Sequence, residues 1–263
     1  SRTGYCQWRV RAPSTRALAN KDLDAKVQAV HRDSRGSYGR PRITQQLRQQ
    51  GELVSTERVR RSLKRQELRP MYRRPWVATT DSRHRLPVAP NLLDRRFDGW
   101  QPNRAWVADI TYVATDEGWL YLAVVMDLAS RRIVGWSMSD AIDAKLVCAA
   151  LRSAYWQRKP GPGLLVHTDR GSQYASHEYR RLAADFAITM SMSRKADCWD
   201  NAAMESFFKT LKVERIYQVR YDTRSQARLD IVDWIEGFYN RVRMHTAIGY
   251  LAPVTMERSL LAA

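Results

Sequence analysis

Three runs rich in β-branched and aromatic residues follow one another between positions 105 and 139: AWVADITYVAT, WLYLAVVMDLAS and IVGWSMS. Only short turns at Asp116-Glu117-Gly118 and Ser130-Arg131-Arg132 separate them. Connections that short join antiparallel neighbours, so the stretch predicts a three-strand antiparallel meander. The period then changes. AIDAKLVCAALRSAYWQR carries apolar residues at 142, 146, 147, 150, 151 and 154, a helical stripe. LLVHTD reads as a short buried strand, HEYRRLAADFA as a helix, ITMSMS as another strand, and NAAMESFFKTLKVERI as a strongly amphipathic helix. The order βββ-α-β-α-β-α is that of an α/β fold with helices packed on a mixed sheet. SQARLDIVDWIEGFYNR adds at least one more helix before a loop at Met244–Pro253, and no internal repeat is visible.

Upstream, the N-terminal third reads as helical. Leu23, Val27 and Val30 recur at helical spacing, and YGRPRITQQLRQQG places Pro41 near a first helical turn and Gly51 at its stop. A second segment starts at Ser55 or Thr56, a plausible N-cap, and runs through STERVRRSLKRQEL with Val59, Leu63 and Leu68 as its apolar stripe. Two short helices around a Gly-containing turn suggest a small helix-turn-helix-like domain over 1–69. Its second helix presents Arg58, Arg60, Arg61, Lys64 and Arg65, of which Arg58, Arg61, Lys64 and Arg65 are the candidate DNA contacts. From Pro70 to Asn103 the periodicity is lost, and Pro70, Pro75, Pro87, Pro90 and Pro102 alternate with Arg. This reads as an extended connector over 70–103, ahead of a core over 104–215 and a C-terminal helical extension over 216–263.

Charge supports that division of labour. Of the 263 residues, positions 1–90 hold 21 Lys+Arg and 7 Asp+Glu, whereas 91–263 hold 23 and 20. An excess so concentrated is the footprint of a polyanion-binding segment, and nucleic acid is the polyanion it points to. With 44% hydrophobic residues, 12 Gly and 10 Pro, the chain is neither disordered nor collagen-like. Its longest apolar run, Trp119–Met126, is far short of the roughly 20 residues a membrane-spanning helix needs. No secretory signal is visible, and Cys6, Cys148 and Cys198 are odd in number and far apart. These features predict a protein of a reducing compartment, with no membrane partner.

Three carboxylates stand out by position. Asp109 sits mid-strand among apolar residues, where a lone carboxylate is costly without a partner or a cation. Asp169 closes LLVHTD just before Arg170-Gly171-Ser172, and Glu205 lies on the late amphipathic helix. On that helix Met204, Phe207, Phe208 and Leu211 form the apolar stripe. Glu205 shares a neighbouring stripe with Lys209 and Lys212, and Asn201 lies beside it. Hard cations such as Mg²⁺ take oxygen ligands from a few carboxylates plus substrate phosphate, and two of them can drive an in-line phosphoryl transfer. No His or Cys cluster competes, since there is no CxxC pair and His167 has no companion at zinc-ligand spacing. Singly, each carboxylate also reads as an ion pair, a turn cap or a surface pair. Their spacing separates them from that background: Asp109 precedes Asp169 by 60 positions, and 35 residues lie between Asp169 and Glu205.

With SRGSYGRPRI, PVAPNLLDR, WVADITYV, GWLYLAVVMDLASRRIVGW, HTDRGSQYAS, SMSRKADCWDNAAMESFFKTLK and FYNRVRMHTAIGYLAP, the chain resembles the retroviral-integrase-like DDE transposases. More closely, it resembles the B-frame (OrfB) transposases of bacterial two-frame insertion sequences. The resemblance spans nearly the whole chain. It implies a ribonuclease-H-like integrase core with Asp109, Asp169 and Glu205 as catalytic residues and metal ligands for two Mg²⁺, Mn²⁺ being a substitute. It implies nicking of DNA at the 3′ end of an element and joining of that 3′-OH to another phosphodiester.

On the same resemblance Lys209 and Lys212 fall where relatives place DNA-contacting lysines, Asn201 and Asp200 shape the site, and Asp127 is structural. The zinc-binding module of retroviral integrases is absent from the pattern. The implied partners are double-stranded DNA (terminal inverted repeats and target), a further copy of the chain in at least a dimer, and an upstream A-frame fusion partner. Two other readings stay open at this point: a ribonuclease-H-like nuclease that cuts without joining, and a catalytically silent DNA-binding regulator.

Overall fold

A computed structural model describes residues 2–71, 87–194 and 198–262. The chain divides into two compact units, Ser1–Tyr72 and Arg73–Ala263.

The first unit is all helical: α1 Arg2–Val10, α2 Thr15–Asp33, α3 Arg40–Gln49 and α4 Thr56–Arg65. Helix starts fall where the side chains supply the missing acceptors. Ser14 Oγ accepts from Ala17 N at 3.2 Å, Pro41 occupies the first turn of α3, and Ser55 Oγ accepts from Arg58 N at 3.3 Å. Gly51, at φ +88°, lies in the turn between α3 and α4. Leu23, Val27, Val30, Ile43, Leu47, Val59 and Leu63 are all buried, so the predicted residues of α2 and α4, joined by Ile43 and Leu47 of α3, form the core. Leu68 lies beyond the end of α4 and is half-buried. The periodicity does not predict helix α1; its described side chains, residues 2–6 and 9, are exposed.

The second unit is built on β1 Ala105–Thr115, β2 Gly118–Asp127, β3 Ile133–Ser139, β4 Leu165–Thr168 and β5 Thr189–Met192. The strand order is β3-β2-β1-β4-β5; β1, β2 and β3 form the antiparallel meander, and β4 and β5 join parallel to β1. Both faces are covered, which is why the strands read as nearly unbroken apolar runs. On one face Trp106, Ala108, Val125 and Val134 pack with α5 Ala144–Arg158 and α6 His177–Asp185. Gly135 lies where α5 crosses closest: a Cβ there would stand 2.6 Å from the Ala150 carbonyl and the Ala154 Cβ. On the other face Val107, Val113, Val124 and Met126 pack with Met204, Phe207 and Leu211 of α7 Ala202–Glu214, and with Ile231 of α8 Arg224–Val232. A π-helical segment, Asp233–Tyr239, continues α8, and α9 Pro253–Ala262 ends the described chain.

Two predicted segment boundaries dissolve in this packing. Of the connector, residues 72–86 lie outside the described residues, while 87–103 are part of the core unit. Leu93 is fully buried, the amides of Leu92 and Leu93 donate to Ser191 Oγ at 2.9 and 3.2 Å, and Phe97 and Trp100 pack against the α7 face. The segment after 215 is likewise no separate extension, because Ile231, Trp234, Ile235, Phe238 and Tyr239 share one hydrophobic cluster with α7. Glu257 of α9 is buried between Arg132 and Arg158, which ties the end of the chain to the β2–β3 turn and α5.

Candidate active site

The parallel pairing of β4 on β1 matches Ala105 with Leu165, Trp106 with Val166 and Val107 with His167. That offset of 60 positions, carried two residues further, brings Asp169 level with Asp109. The interval noted in the sequence is therefore the register of the sheet. Asp109 Oδ1 accepts from the Ile110 amide at 2.7 Å, and Asp169 Oδ1 accepts from the Gly171 amide at 2.9 Å, in the turn where the chain leaves β4. A Cβ on Gly171 would lie 3.0 Å from that same carboxylate oxygen, so the residue that turns away from the strand has to be small. Glu205 stands in the first turn of α7, half-buried, with its helix fixed by Met204, Phe207, Phe208 and Leu211 in the core.

Electrostatics join the three. Burial, then the charge of Asp169, then that of Glu205 hold the Asp109 carboxyl well above the usual carboxylate range, while the Ile110 amide and Lys212 pull it back. Burial also raises Glu205. Lys212 is depressed by burial and held up by Asp109, and its Nζ lies 4.6 Å from the centroid of the Tyr112 ring. Lys209 is half-buried one helical turn before it. Among the described residues no three His, Cys, Asp or Glu side chains are drawn into a closed ligand cage. The donor set itself, carboxylate oxygens with no thiolate or imidazole among them, suits hard divalent cations.

The start of α7 is held by residues whose roles the sequence pattern did not separate. Asp200, fully buried, accepts from Arg194 (N at 2.8 Å, Nη2 at 2.9 Å), Arg95 Nε at 3.0 Å and Asn91 Nδ2 at 2.9 Å. The Arg194 guanidinium, ahead of Arg95, keeps its carboxyl below the usual range. Asn201 is buried beside it and donates through Nδ2 to the Ala108 carbonyl at 3.4 Å, while its buried Oδ1 meets no hydrogen-bond partner among the described residues. It therefore lies under the strand that carries Asp109. His167 is enclosed between Ser191 Oγ (2.8 Å) and Ser193 Oγ (3.1 Å), with burial pushing its pKa down to about 4, so it is a neutral joint between β4 and β5. Asp127 accepts from the amides of Asn103, Ala129 and Ser130 at 2.6, 2.9 and 3.4 Å and closes the β2–β3 turn.

In the first unit Arg58, Arg61, Lys64 and Arg65 are all exposed on α4. Arg61 pairs with Glu57 at 3.0 Å, whereas Arg65 reaches Asp24 on α2 at 2.5 Å, so one of the four helps hold the helices together.

Fold and site together define an integrase-core protein with a helix-turn-helix-like unit. Family models agree: one integrase core domain model matches residues 100–198, a second 187–253, and an HTH-like domain model 17–76. The transposase InsF for insertion sequence IS3A of Escherichia coli (strain K12) is 44% identical over 258 residues, covering 98% of this chain and 89% of that protein. The insertion element IS600 uncharacterized 31 kDa protein of Shigella sonnei is 42% identical over 257 residues, 98% of this chain and 94% of that one. A chain of the simian T-cell lymphotropic virus intasome, in complex with PP2A regulatory subunit B56 gamma, shares the fold. Its TM-score is 0.51 at 15% identity, over 84% of this chain and 70% of that chain. The chain belongs to the IS3-family, OrfB-type insertion-sequence transposases.

Proposed function

We propose that the chain cuts DNA at the 3′ ends of its element and joins them to a target in a divalent-cation-dependent phosphoryl transfer at Asp109, Asp169 and Glu205. The observation that carries this reading is the β1–β4 register that sets Asp169 level with Asp109, whose carboxyl is raised by desolvation first and then by the charges of Asp169 and Glu205, and is offset in part by Lys212. Asp109, Asp169 and Glu205 would hold Mg²⁺, with Mn²⁺ as a substitute. Two such ions, when bound, supply activation of the attacking oxygen and stabilisation of the leaving one.

The chain's own residues do the rest. Lys212, and Lys209 one turn before it, meet the phosphates of the strand held at the carboxylates. Asp200 and Asn201 fix the start of α7, and through it the height of Glu205 relative to Asp109. Arg58, Arg61 and Lys64 engage duplex DNA, the terminal repeats of the element, from α4. Holding two ends requires at least a second copy of the chain, and an upstream fused segment is the expected further partner. Acting on its element's DNA would place the protein at the nucleoid; no helix among the described residues is long and apolar enough to cross a membrane.

The test is a labelled duplex of the element's own end incubated with Mg²⁺ and the protein, its products resolved on a denaturing gel. Wild type is expected to give nicked and joined strands. Glu205→Gln is expected to give neither while binding the duplex nearly as well. Turnover by Glu205→Gln would overturn the assignment, and nicking without joining would reduce it to a nuclease.

A further inference from the structure

The β1–β2 hairpin ends in an aromatic residue that core packing does not account for. Trp119, second residue of β2 and paired with Ala114, is 48% exposed. It meets Tyr112 edge to face, ring centroids 4.9 Å apart at 84°. Tyr112 in turn is the ring beneath Lys212 Nζ, and Lys212 is the cation that senses Asp109. One chain of contacts thus runs from the acidic centre through an ammonium to a half-open indole.

The hairpin that carries the indole is held on both sides, and the ring itself rests on Tyr112. Arg224 Nε donates to the Trp119 carbonyl at 3.0 Å, and the Arg224 amide donates to Glu117 Oε2 at 2.8 Å. Arg220 pairs with Asp116 at 3.0 Å, and the Asp116 amide bonds the Tyr221 carbonyl at 3.0 Å. Gly118 makes the turn at φ +110°, with the Arg224 guanidinium 3.0 Å from where a Cβ would be. A rigid aromatic face beside a phosphate-binding cation is the combination that captures an unpaired base. The cation takes the backbone and the ring takes the base, while a base inside a duplex has both faces covered by its neighbours.

The geometry points to Trp119, buttressed by Tyr112, as a stacking site for an unpaired nucleobase of the DNA strand whose phosphate lies at Lys212 and Asp109. The inference rests on the proposed DNA substrate and adds to it that the strand end is held melted. Two duplexes of one sequence test it, one fully paired and one with mispaired terminal bases carrying 2-aminopurine. Both are titrated without divalent cations, so that affinity and fluorescence are read instead of turnover.

Wild type is expected to bind the mispaired end roughly ten-fold more tightly than the paired one and to quench its 2-aminopurine. Trp119→Ala is expected to lose both the preference and the quenching while binding the paired duplex unchanged, and Trp119→Phe to keep most of each. A preference that survives in Trp119→Ala, or wild-type affinities equal for the two duplexes, overturns the stacking site alone. Wild type that binds neither duplex overturns the DNA reading as well.

Discussion

Two aspartates on one antiparallel ladder, Asp127 buried and Asp109 half-buried, are treated oppositely. Asp127, at the end of β2, and Asp109, in the middle of β1, are both raised by burial. Asp127 is then met by three backbone amides, with Arg158 further off, and every donor around it favours its charge. Asp109 has one amide, and its nearest charged neighbours include two further acids. Burial is common to both and so distinguishes nothing. The surroundings decide: a carboxylate surrounded by donors stabilises a turn, whereas one with two further acids beside it carries like-charge repulsion that Lys212 offsets only in part.

Replacing each aspartate is the strongest way to break that contrast. Asp109→Asn is expected to abolish strand cleavage and yet to raise the unfolding temperature in buffer without divalent cations. Because its folded pKa is raised, the contribution of Asp109 to stability is full at low pH and is lost as pH climbs through the raised value. The gain from Asn should therefore widen with pH and be largest at neutrality. A variant less stable than wild type at neutral pH would break the comparison. Asp127→Ala should do the reverse. It strands buried amides at Asn103, Ala129 and Ser130 and is expected to cost about 3 kcal/mol or more in urea unfolding. Cleavage per folded molecule should hardly change.

How far this contrast was legible in the sequence follows from what each feature depends on. The strands at 105–115, 133–139 and 189–192 and the stripe Met204, Phe207, Phe208, Leu211 were readable because local periodicity reports local burial. The spacing of Asp109 and Asp169 was visible as a number, but its meaning as sheet register needed the pairing of β4 with β1, which no local pattern encodes. The Asp200 hub joins residues more than a hundred positions apart, Asn91 and Arg95, and so leaves no short-range signal. For the same reason 87–103 read as connector. Its anchors are single residues such as Leu93 and the Ser191 hydroxyl, with no period between them. Lys212 was found on the right stripe, but its seat on the Tyr112 ring was not.

A third buried titratable group, His167, sharpens the contrast through pH. It is satisfied like Asp127, but in its neutral form, with its pKa pushed down to about 4. Below its ordinary value near 6.5 the unfolded chain takes up a proton that the folded one refuses, so stability falls as pH drops through that value and levels off below about 4. The expected loss across this window is roughly 3 kcal/mol. It should be read by urea unfolding at a series of pH values. His167→Gln, which keeps a donor and an acceptor between the two serines, should flatten the curve. An unflattened curve would assign the loss to other groups. The ion pairs of Asp200 are expected to fail only at still lower pH, because Arg194 and Arg95 hold that carboxyl below the usual range.

The smallest effect belongs to the first unit, where the cations of α4 are exposed. Lys64 and Arg65 are adjacent and both exposed on α4, yet Arg65 reaches back to Asp24 at 2.5 Å. If Lys64 contacts phosphate, Lys64→Ala should weaken binding about equally for every duplex sequence and lower the slope of log K against log salt by about one. Its unfolding curve should match that of wild type. Arg65→Ala should shift stability as well, because Asp24 loses a partner that bridges α4 to α2. Salt titrations of DNA binding for the two variants, set beside their melting curves, separate a cation that serves the nucleic acid from one that serves the fold. An unchanged salt slope for Lys64→Ala would remove it from the phosphate contacts and leave Arg58 and Arg61 as the α4 cations to test.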